Sequence, residues 1–79
     1  MTHELKCWPE YFEQILTGYK TFEVRKNDRD YKVGDELFLR EWDYLKMEYT
    51  GRELKMLITY ILVGGSFGIQ KEYVVMSII

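Results

Sequence analysis

A short charged segment, from Gly18 to Arg25, carries the residues best suited to chemistry. Its pattern is Gly-x-Lys-x-x-Glu-x-Arg, with charged side chains at Lys20, Glu23 and Arg25. Lysine offers a compact positive charge, and arginine offers a planar fork of N–H donors that fits a phosphate or a base edge. A carboxylate beside them accepts hydrogen bonds from exocyclic amines or restrains the arginine. The three side chains suit the recognition of a nucleotide, and Lys20 and Glu23 are the candidates for any catalytic role.

The distribution of charge also allows a plainer interpretation. Residues 18–32 hold five basic and three acidic side chains, a local net charge of +2, whereas residues 35–43 hold four acidic ones against Arg40 alone. The whole chain has a net charge of -2, so it lacks the positive field that drives nonspecific duplex binding. Any nucleic-acid site must therefore be local. A charged face exposed to solvent, contributing little to stability, would show the same pattern.

The loop that follows the motif supplies further candidates. Lys26, Asn27 and Arg29 could contact phosphates, although such residues in a loop more often serve ordinary turn chemistry. With the motif and one aromatic residue, the candidate binding residues are Gly18, Lys20, Glu23, Arg25, Lys26, Asn27, Arg29 and Trp42. The partner they predict is RNA, a single-stranded nucleic acid or a nucleotide.

Aromatic side chains are the natural stacking partners of bases in proteins that bind single strands. Tyr19 and Trp42 are the candidates for this role. Trp8, beside a proline, is a weaker candidate, because a chain this small must place most of its aromatic residues in the core.

Metal and thiol chemistry have little support. His3 and Cys7 are the only histidine and cysteine, and they cannot supply the three or four protein ligands typical of zinc. We expect no metal and no cofactor. His3 shares a predicted strand face with Leu5 and Cys7, which favours a partly buried, hydrogen-bonded side chain over an acid-base catalyst. A lone thiol usually behaves as a small core hydrophobe and fits a reducing compartment.

The elements that must position the motif begin with a strand and a helix. Residues 3–7 alternate in polarity, which predicts a short strand. A proline suited to a first helical turn and apolar side chains at helical spacing then predict a helix from Pro9 to Thr17. Gly18 supplies its stop, because glycine takes the left-handed conformation at a helix end at little cost.

The motif itself falls on a second predicted strand. Residues 21–25 alternate, with Phe22 and Val24 on one face and the charged side chains on the other. A polar loop then leads to a turn at Gly34-Asp35 and to a third strand at residues 37–42.

The rest of the chain predicts more β structure. Thr50-Gly51 indicates a turn, and the apolar runs at residues 56–63 and 73–79 are typical of strands covered on both faces or closed into a barrel. The order of a strand, a helix and then several strands predicts a mainly β (α+β) fold. We expect a small closed or half-closed β-barrel with one N-terminal helix between strands one and two.

Composition supports a single domain over residues 1–79. The chain is 47% hydrophobic and 16% aromatic, enough for one compact core, and it has no repeat or linker. No apolar run approaches the ~20 residues of a membrane span, so we expect a cytoplasmic protein that does not bind membranes. The sequence leaves the oligomeric state open.

The motif in this setting resembles the signature of the ASCH family of the PUA-like superfamily of small β-barrels. A wider set of residues is similar to its small DUF3850-type branch, found in bacteria and phages, namely His3 to Lys6, Trp8-Pro9, Lys26 to Arg29 and Val33 to Asp35. The resemblance implies a PUA-like barrel that binds RNA or modified bases in a cleft lined by the motif strand. By position, the cleft residues would be Gly18, Lys20, Glu23 and Arg25.

Two other functions remain open. Some ASCH-like proteins are amidohydrolases that act on N4-acylated cytidine, but Glu23 stands where the resemblance places their threonine nucleophile, and Thr21 is out of register. Their later catalytic glutamate has no certain counterpart, because residues 43–53 are expected to form a short loop with Glu48 and Glu53 as its acids. The third possibility is a protein-interaction module that uses an aromatic surface or a sheet edge.

Overall fold

Five β-strands and one α-helix form the protein in a computed structural model that describes residues 1–79. Their order is β1 (Thr2–Cys7), α1 (Pro9–Leu16), β2 (Phe22–Lys26), β3 (Glu36–Asp43), β4 (Glu48–Val63) and β5 (Tyr73–Ile78). The strands form one sheet in the order β1-β3-β4-β5-β2. β1 and β3 are parallel, and the other neighbours are antiparallel. The prediction of a mainly β fold with a helix between its first two strands is confirmed.

The helix α1 begins at Pro9, as the sequence indicates, and ends at Leu16, one residue before the predicted end at Thr17. Pro9 occupies its first turn, where a missing N–H costs nothing. Phe12 and Ile15, three positions apart, are its buried residues. Gly18 follows with a φ of 85°, and this left-handed turn sends the chain into the motif. No helix in the structure has the length and apolar character that crossing a membrane requires.

The turn predicted at Thr50-Gly51 is wrong, because both residues lie inside β4. The chain reverses instead between β3 and β4. There the Asp43 carboxylate accepts hydrogen bonds from the backbone N–H groups of Leu45 and Lys46 at 3.0 and 3.1 Å. Gly51 has a φ of 96°, and the pairing of β3 with β4 shifts register at this point. The glycine therefore marks a bulge within a strand, and residues 48–53 are not a loop.

The hydrophobic core draws side chains from α1, from four of the five strands and from one loop residue. Its members are Leu5, Cys7, Phe12, Ile15, Tyr31, Leu37, Leu39, Ile58, Val74, Met76 and Ile78. β2 contributes none of them, and its one buried side chain is Glu23. The expectation that residues 56–63 are covered on both faces is wrong, because Leu57, Tyr60 and Val63 are exposed. Strand β4 buries one face and presents the other to solvent.

The sheet does not close into the expected barrel. Its two edges, β1 and β2, share no backbone ladder. Two arginine side chains reach β1 instead, Arg25 from β2 and Arg29 from the loop after β2. Nη2 of Arg25 donates to the carbonyl oxygen of Lys6 at 2.7 Å, and Nη1 of Arg29 donates to that of Glu4 at 2.6 Å. These two hydrogen bonds connect β1 with β2 and with the loop after it, although no backbone ladder joins the two edges. We call the gap between β1 and β2 the seam.

A second contact ties the start of β1 to the turn before β3. His3 is buried, and its Nε2 lies 2.8 Å from Oδ2 of Asp35, so its predicted hydrogen-bonded role is confirmed. The turn at Gly34-Asp35 is confirmed as well, with Gly34 at a φ of 95°. The ring of Tyr31 packs edge-on against His3 with 4.8 Å between ring centroids. This contact fixes Tyr31 in the loop between β2 and β3.

Candidate functional site

A cleft of about 540 Å³ opens at the seam, where β1 ends and α1 begins. Its walls come from the end of β1, from the first turn of α1, and from the segment that enters and forms β2. Lys20, Glu23 and Arg25 of the motif all line this cleft, together with three aromatic side chains. The volume lies within the range typical of small-molecule sites. The fold therefore gathers the charged residues of the motif in one concavity.

Glu23 is the buried centre of the motif, with 4% of its surface exposed. Its Oε1 accepts a hydrogen bond from Nζ of Lys20 at 2.8 Å, and its Oε2 accepts one from Nε of Arg25 at 2.9 Å. A carboxylate removed from water needs such partners, because an unpaired buried charge is costly. The interpretation of the motif as a charged face exposed to solvent therefore fails for Glu23.

Both cations keep N–H groups that a ligand could use. Nζ of Lys20 donates to Glu23 and, at 2.6 Å, to the carbonyl oxygen of Phe22, which leaves one of its three hydrogens without a protein acceptor. Arg25 uses Nε for Glu23 and Nη2 for Lys6, so its Nη1 group makes no hydrogen bond within the protein. The site thus presents hydrogen-bond donors on either side of a fixed acceptor.

Three aromatic side chains, each about half exposed, form the apolar wall of the cleft. The rings of Trp8 and Tyr11 are nearly parallel, with 5.9 Å between centroids and 16° between planes. The ring of Tyr44, which does not line the cleft, packs against that of Trp8 with 4.8 Å between ring centroids. Phe22 completes the wall, and Nζ of Lys20 lies 4.7 Å from its ring centroid. Exposed aromatic rings beside hydrogen-bonding groups form a surface on which a flat ring can stack.

Sequence reasoning missed most of this aromatic wall. The sequence favours Trp8 less than Tyr19 and Trp42 for stacking, and it predicts no stacking role for Tyr11. The spacing of the apolar residues in α1 does indicate the position of Tyr11. Phe12 and Ile15 form the buried stripe of α1, so Tyr11 faces away from that stripe, on the side reached by Trp8 three positions earlier.

A second cavity of about 160 Å³ adjoins the first at Arg25, which lines both. Lys26 and Arg29 from the predicted loop set lie here, with Asp28 and the buried Tyr31. Lys26 and Arg29 therefore lie beside the motif but do not line its cleft. Arg25 is the motif residue that lines both cavities.

Other predicted site residues lie outside both cavities. Gly18 ends the turn after α1, and Asn27 is tied to the segment before β5 by its backbone N–H, which donates to the carbonyl oxygen of Glu72 at 2.7 Å. Trp42 packs edge-on against Tyr49 at 4.9 Å between centroids. Tyr19 is 85% exposed and lines neither cavity.

Nucleophilic groups are scarce in the cleft. No serine or threonine lines it. Cys7 does, but burial, and secondarily the nearby Glu23 carboxylate, raises the pKa of its thiol to about 11, so the thiolate is rare at neutral pH. The structure contains no group of three or more histidine, cysteine, aspartate and glutamate side chains that could hold a metal ion.

A buried acid that the sequence did not single out anchors the helix next to the cleft. Glu41 of β3 is 4% exposed and accepts hydrogen bonds from Nε and Nη2 of Arg52, each at 2.9 Å. Nη2 of Arg52 also donates to Oε1 of Glu13 on α1 at 3.0 Å. The hydrogen bonds from Arg52 hold the pKa of the Glu41 carboxyl below its usual range. This network links β3, β4 and α1, and so fixes the helix that carries Tyr11.

Comparison with known proteins gives a relative and a family. The chain is 44% identical over 57 residues to an uncharacterized 12.9 kDa protein in the GpA 3' region of Escherichia phage P2, and the match covers 72% of this chain and 50% of that protein. The chain thus spans about half the length of this relative. The family model described as a domain of unknown function, DUF3850, matches residues 2–78. The chain therefore belongs to the DUF3850 family, as its resemblance to that branch predicts.

Proposed function

We propose that this domain binds RNA, a single-stranded nucleic acid or a nucleotide by taking a base into the cleft. The observation that carries the proposal is the buried Glu23 carboxylate, held between Lys20 and Arg25 beneath a wall of half-exposed aromatic rings. We also propose that the domain is of the ASCH type within the PUA-like superfamily. The motif, its position after a strand and a helix, and a cleft at that motif support this assignment.

The chemistry of the cleft suits both the flat face of a base and its hydrogen-bonding edge. Stacking on aromatic side chains is worth ~1–3 kcal/mol per base and tolerates any base. The edge of a base carries both N–H donors and carbonyl or ring-nitrogen acceptors. The Glu23 carboxylate accepts from the former, and the remaining N–H groups of Lys20 and Arg25 donate to the latter.

The alternative of an amidohydrolase has less support from the cleft. Acyl transfer through a covalent intermediate needs a nucleophilic side chain beside a base. Glu23 stands at the position where the resemblance places threonine, no serine or threonine lines the cleft, and the thiol of Cys7 stays protonated at neutral pH. Nothing in the structure favours a protein-interaction module over a ligand site at this position.

The proposal is tested by titrating short single-stranded RNAs and DNAs and a panel of nucleotides into the wild type, Tyr11→Ala and Phe67→Ala. Tyr11 lines the cleft, and Phe67 is an exposed aromatic residue that lies outside it, so the second variant is a matched control. We expect Tyr11→Ala to bind about tenfold more weakly than the wild type, and Phe67→Ala to bind normally. No binding by the wild type, or equal loss in both variants, would remove the proposal.

A further inference from the structure

We propose that the second cavity is a phosphate subsite for the nucleotide whose base occupies the cleft. The inference rests on the proposed function and restricts the class of ligand. The ligand would be a phosphorylated nucleotide or a nucleic-acid backbone, and a free nucleoside would leave the second cavity empty.

The cavity is lined by three cations and one acid. Arg25, Lys26 and Arg29 stand against Asp28 alone. The contact between Nε of Arg29 and Oδ1 of Asp28 is long, at 3.9 Å, and both side chains are about half exposed, so the pair is weak. A net positive concavity with two guanidinium groups matches a phosphate, which arginine binds through paired N–H donors.

The orientation of Arg29 is fixed before any ligand arrives. Its Nη1 donates to the carbonyl oxygen of Glu4 at 2.6 Å across the seam. This bond leaves the Nη2 group without a protein acceptor. A guanidinium held by the fold loses less freedom on binding than a mobile side chain, which improves affinity.

Tyr31 offers a further hydrogen-bond donor in this cavity. Its side chain is 93% buried, packs edge-on against His3 and lines this cavity. Its hydroxyl makes no hydrogen bond within the protein, and burial raises its pKa, so it remains a proton donor at neutral pH. No buried side-chain oxygen or nitrogen in the structure lacks a hydrogen-bond partner, so this hydroxyl still reaches solvent and is free to donate to a phosphate oxygen in the cavity.

The size of the second cavity and its position beside the cleft also fit a phosphate. A volume of about 160 Å³ is too small for a second base with its sugar but holds a phosphate with water. Arg25 lines both cavities, donating through Nε to Glu23 on the cleft side. One nucleotide could therefore place its base in the cleft and its phosphate in the second cavity, with Arg25 between them.

The test is calorimetric titration of the four common nucleosides and their 5'- and 3'-monophosphates into the wild type and three variants. Lys26→Gln and Tyr31→Phe alter the second cavity. Lys32→Gln is the matched control, because Lys32 is a nearby exposed cation, paired with Asp30, that lines neither cavity. We expect at least one monophosphate to bind the wild type about tenfold more tightly than its nucleoside, as one charge-assisted hydrogen bond would give.

That advantage should shrink in Lys26→Gln and Tyr31→Phe and persist in Lys32→Gln. Equal affinity for nucleosides and both kinds of monophosphate in the wild type overturns the subsite but leaves the proposed function standing. An advantage that falls equally in all three variants also overturns it, since nonspecific attraction would then explain the preference. Absence of binding by every ligand overturns both proposals.

Discussion

Nε of Arg25 donates a hydrogen bond to Oε2 of Glu23 at 2.9 Å. The two residues lie two positions apart on one edge strand, where alternate side chains share a face. The same guanidinium donates through Nη2 to the carbonyl oxygen of Lys6 on the opposite edge of the sheet. Arg25 therefore performs two tasks: it neutralises the buried acid of the cleft and bridges the seam that the backbone leaves open. The proposed binding and the stability of the fold would therefore both depend on Arg25, so variants of the motif must be tested for both.

The first prediction concerns the buried acid. Glu23→Gln leaves the Lys20 ammonium and the Arg25 guanidinium without their common counter-charge. Breaking a fully buried pair costs about 3–5 kcal/mol. Both cations here keep partial exposure, so we expect the free energy of unfolding to fall by about 2 kcal/mol, with a melting temperature lower by about 10 °C. Urea denaturation and a thermal melt measure both quantities.

The control for this experiment is Glu53→Gln. Glu53 pairs with Arg40 at 3.1 Å, but its side chain is 44% exposed, and such surface pairs contribute about 0.5 kcal/mol or less. If Glu23→Gln were no less stable than Glu53→Gln, the Glu23 carboxylate would not be the buried centre of the motif.

The sequence predicts most elements because their signals are local. Pro9 and Gly18 define the limits of α1, and polarity alternation places β1 and β2. Gly51 misleads because a glycine with positive φ serves both turns and bulges. Closure of the sheet is beyond such reasoning. It depends on whether two edges remote in sequence meet through backbone or through side chains, and here Arg25 reaches Lys6, nineteen positions away.

The candidate site is likewise predicted from the sequence only in part. The spacing of the motif places Lys20, Glu23 and Arg25 together, since alternate residues of a strand share a face and Lys20 enters it from the preceding turn. The aromatic wall could not be chosen from composition, because the chain has thirteen aromatic residues, two tryptophans, seven tyrosines and four phenylalanines, and most are equally plausible core residues. Only tertiary packing shows that Trp8 faces the cleft and that Trp42 does not.

The second prediction is a pH dependence at Glu41. Its carboxyl has a folded-state pKa below the ordinary value of 4.5 because Arg52 donates hydrogen bonds to it. A depressed pKa contributes stability that is complete above the unfolded-state value and is lost as the pH falls through the folded-state value. The stability difference between the wild type and Glu41→Gln should therefore be large at pH 7 and should shrink progressively below about pH 4.5.

Urea midpoints measured from pH 7 to pH 3 give this difference directly. Glu48→Gln, an exposed position on β4, serves as the control and should follow the wild type throughout. A difference between the wild type and Glu41→Gln that stays constant with pH would show that the ionised carboxylate contributes nothing beyond its shape.

The third prediction concerns Cys7. A pKa of about 11, against an ordinary value of 9.0, makes the thiolate about a hundredfold rarer at pH 8 than in the unfolded chain. Alkylation by iodoacetamide, followed by mass spectrometry, should therefore be at least about a hundredfold slower in the folded protein than in urea. The folded-state rate should keep rising with pH toward 11. A folded-state titration midpoint near 9 would contradict the prediction and would restore the thiol as a possible nucleophile in the cleft.

The last prediction uses the two tryptophans as reporters, because one lines the cleft and the other does not. Trp42→Phe leaves only Trp8, whose ring stacks with Tyr11 at the cleft wall. Trp8→Phe leaves only Trp42, which packs against Tyr49 outside the cleft. A base that stacks in the cleft changes the surroundings of Trp8 alone, so a nucleoside monophosphate should alter the fluorescence of the first variant in a saturable way. The second variant should keep its emission unchanged while still binding in calorimetry. A response from Trp42 with none from Trp8 would place the ligand at Trp42, where Nζ of Lys6 lies 3.9 Å from the ring centroid, and not against the aromatic wall of the cleft.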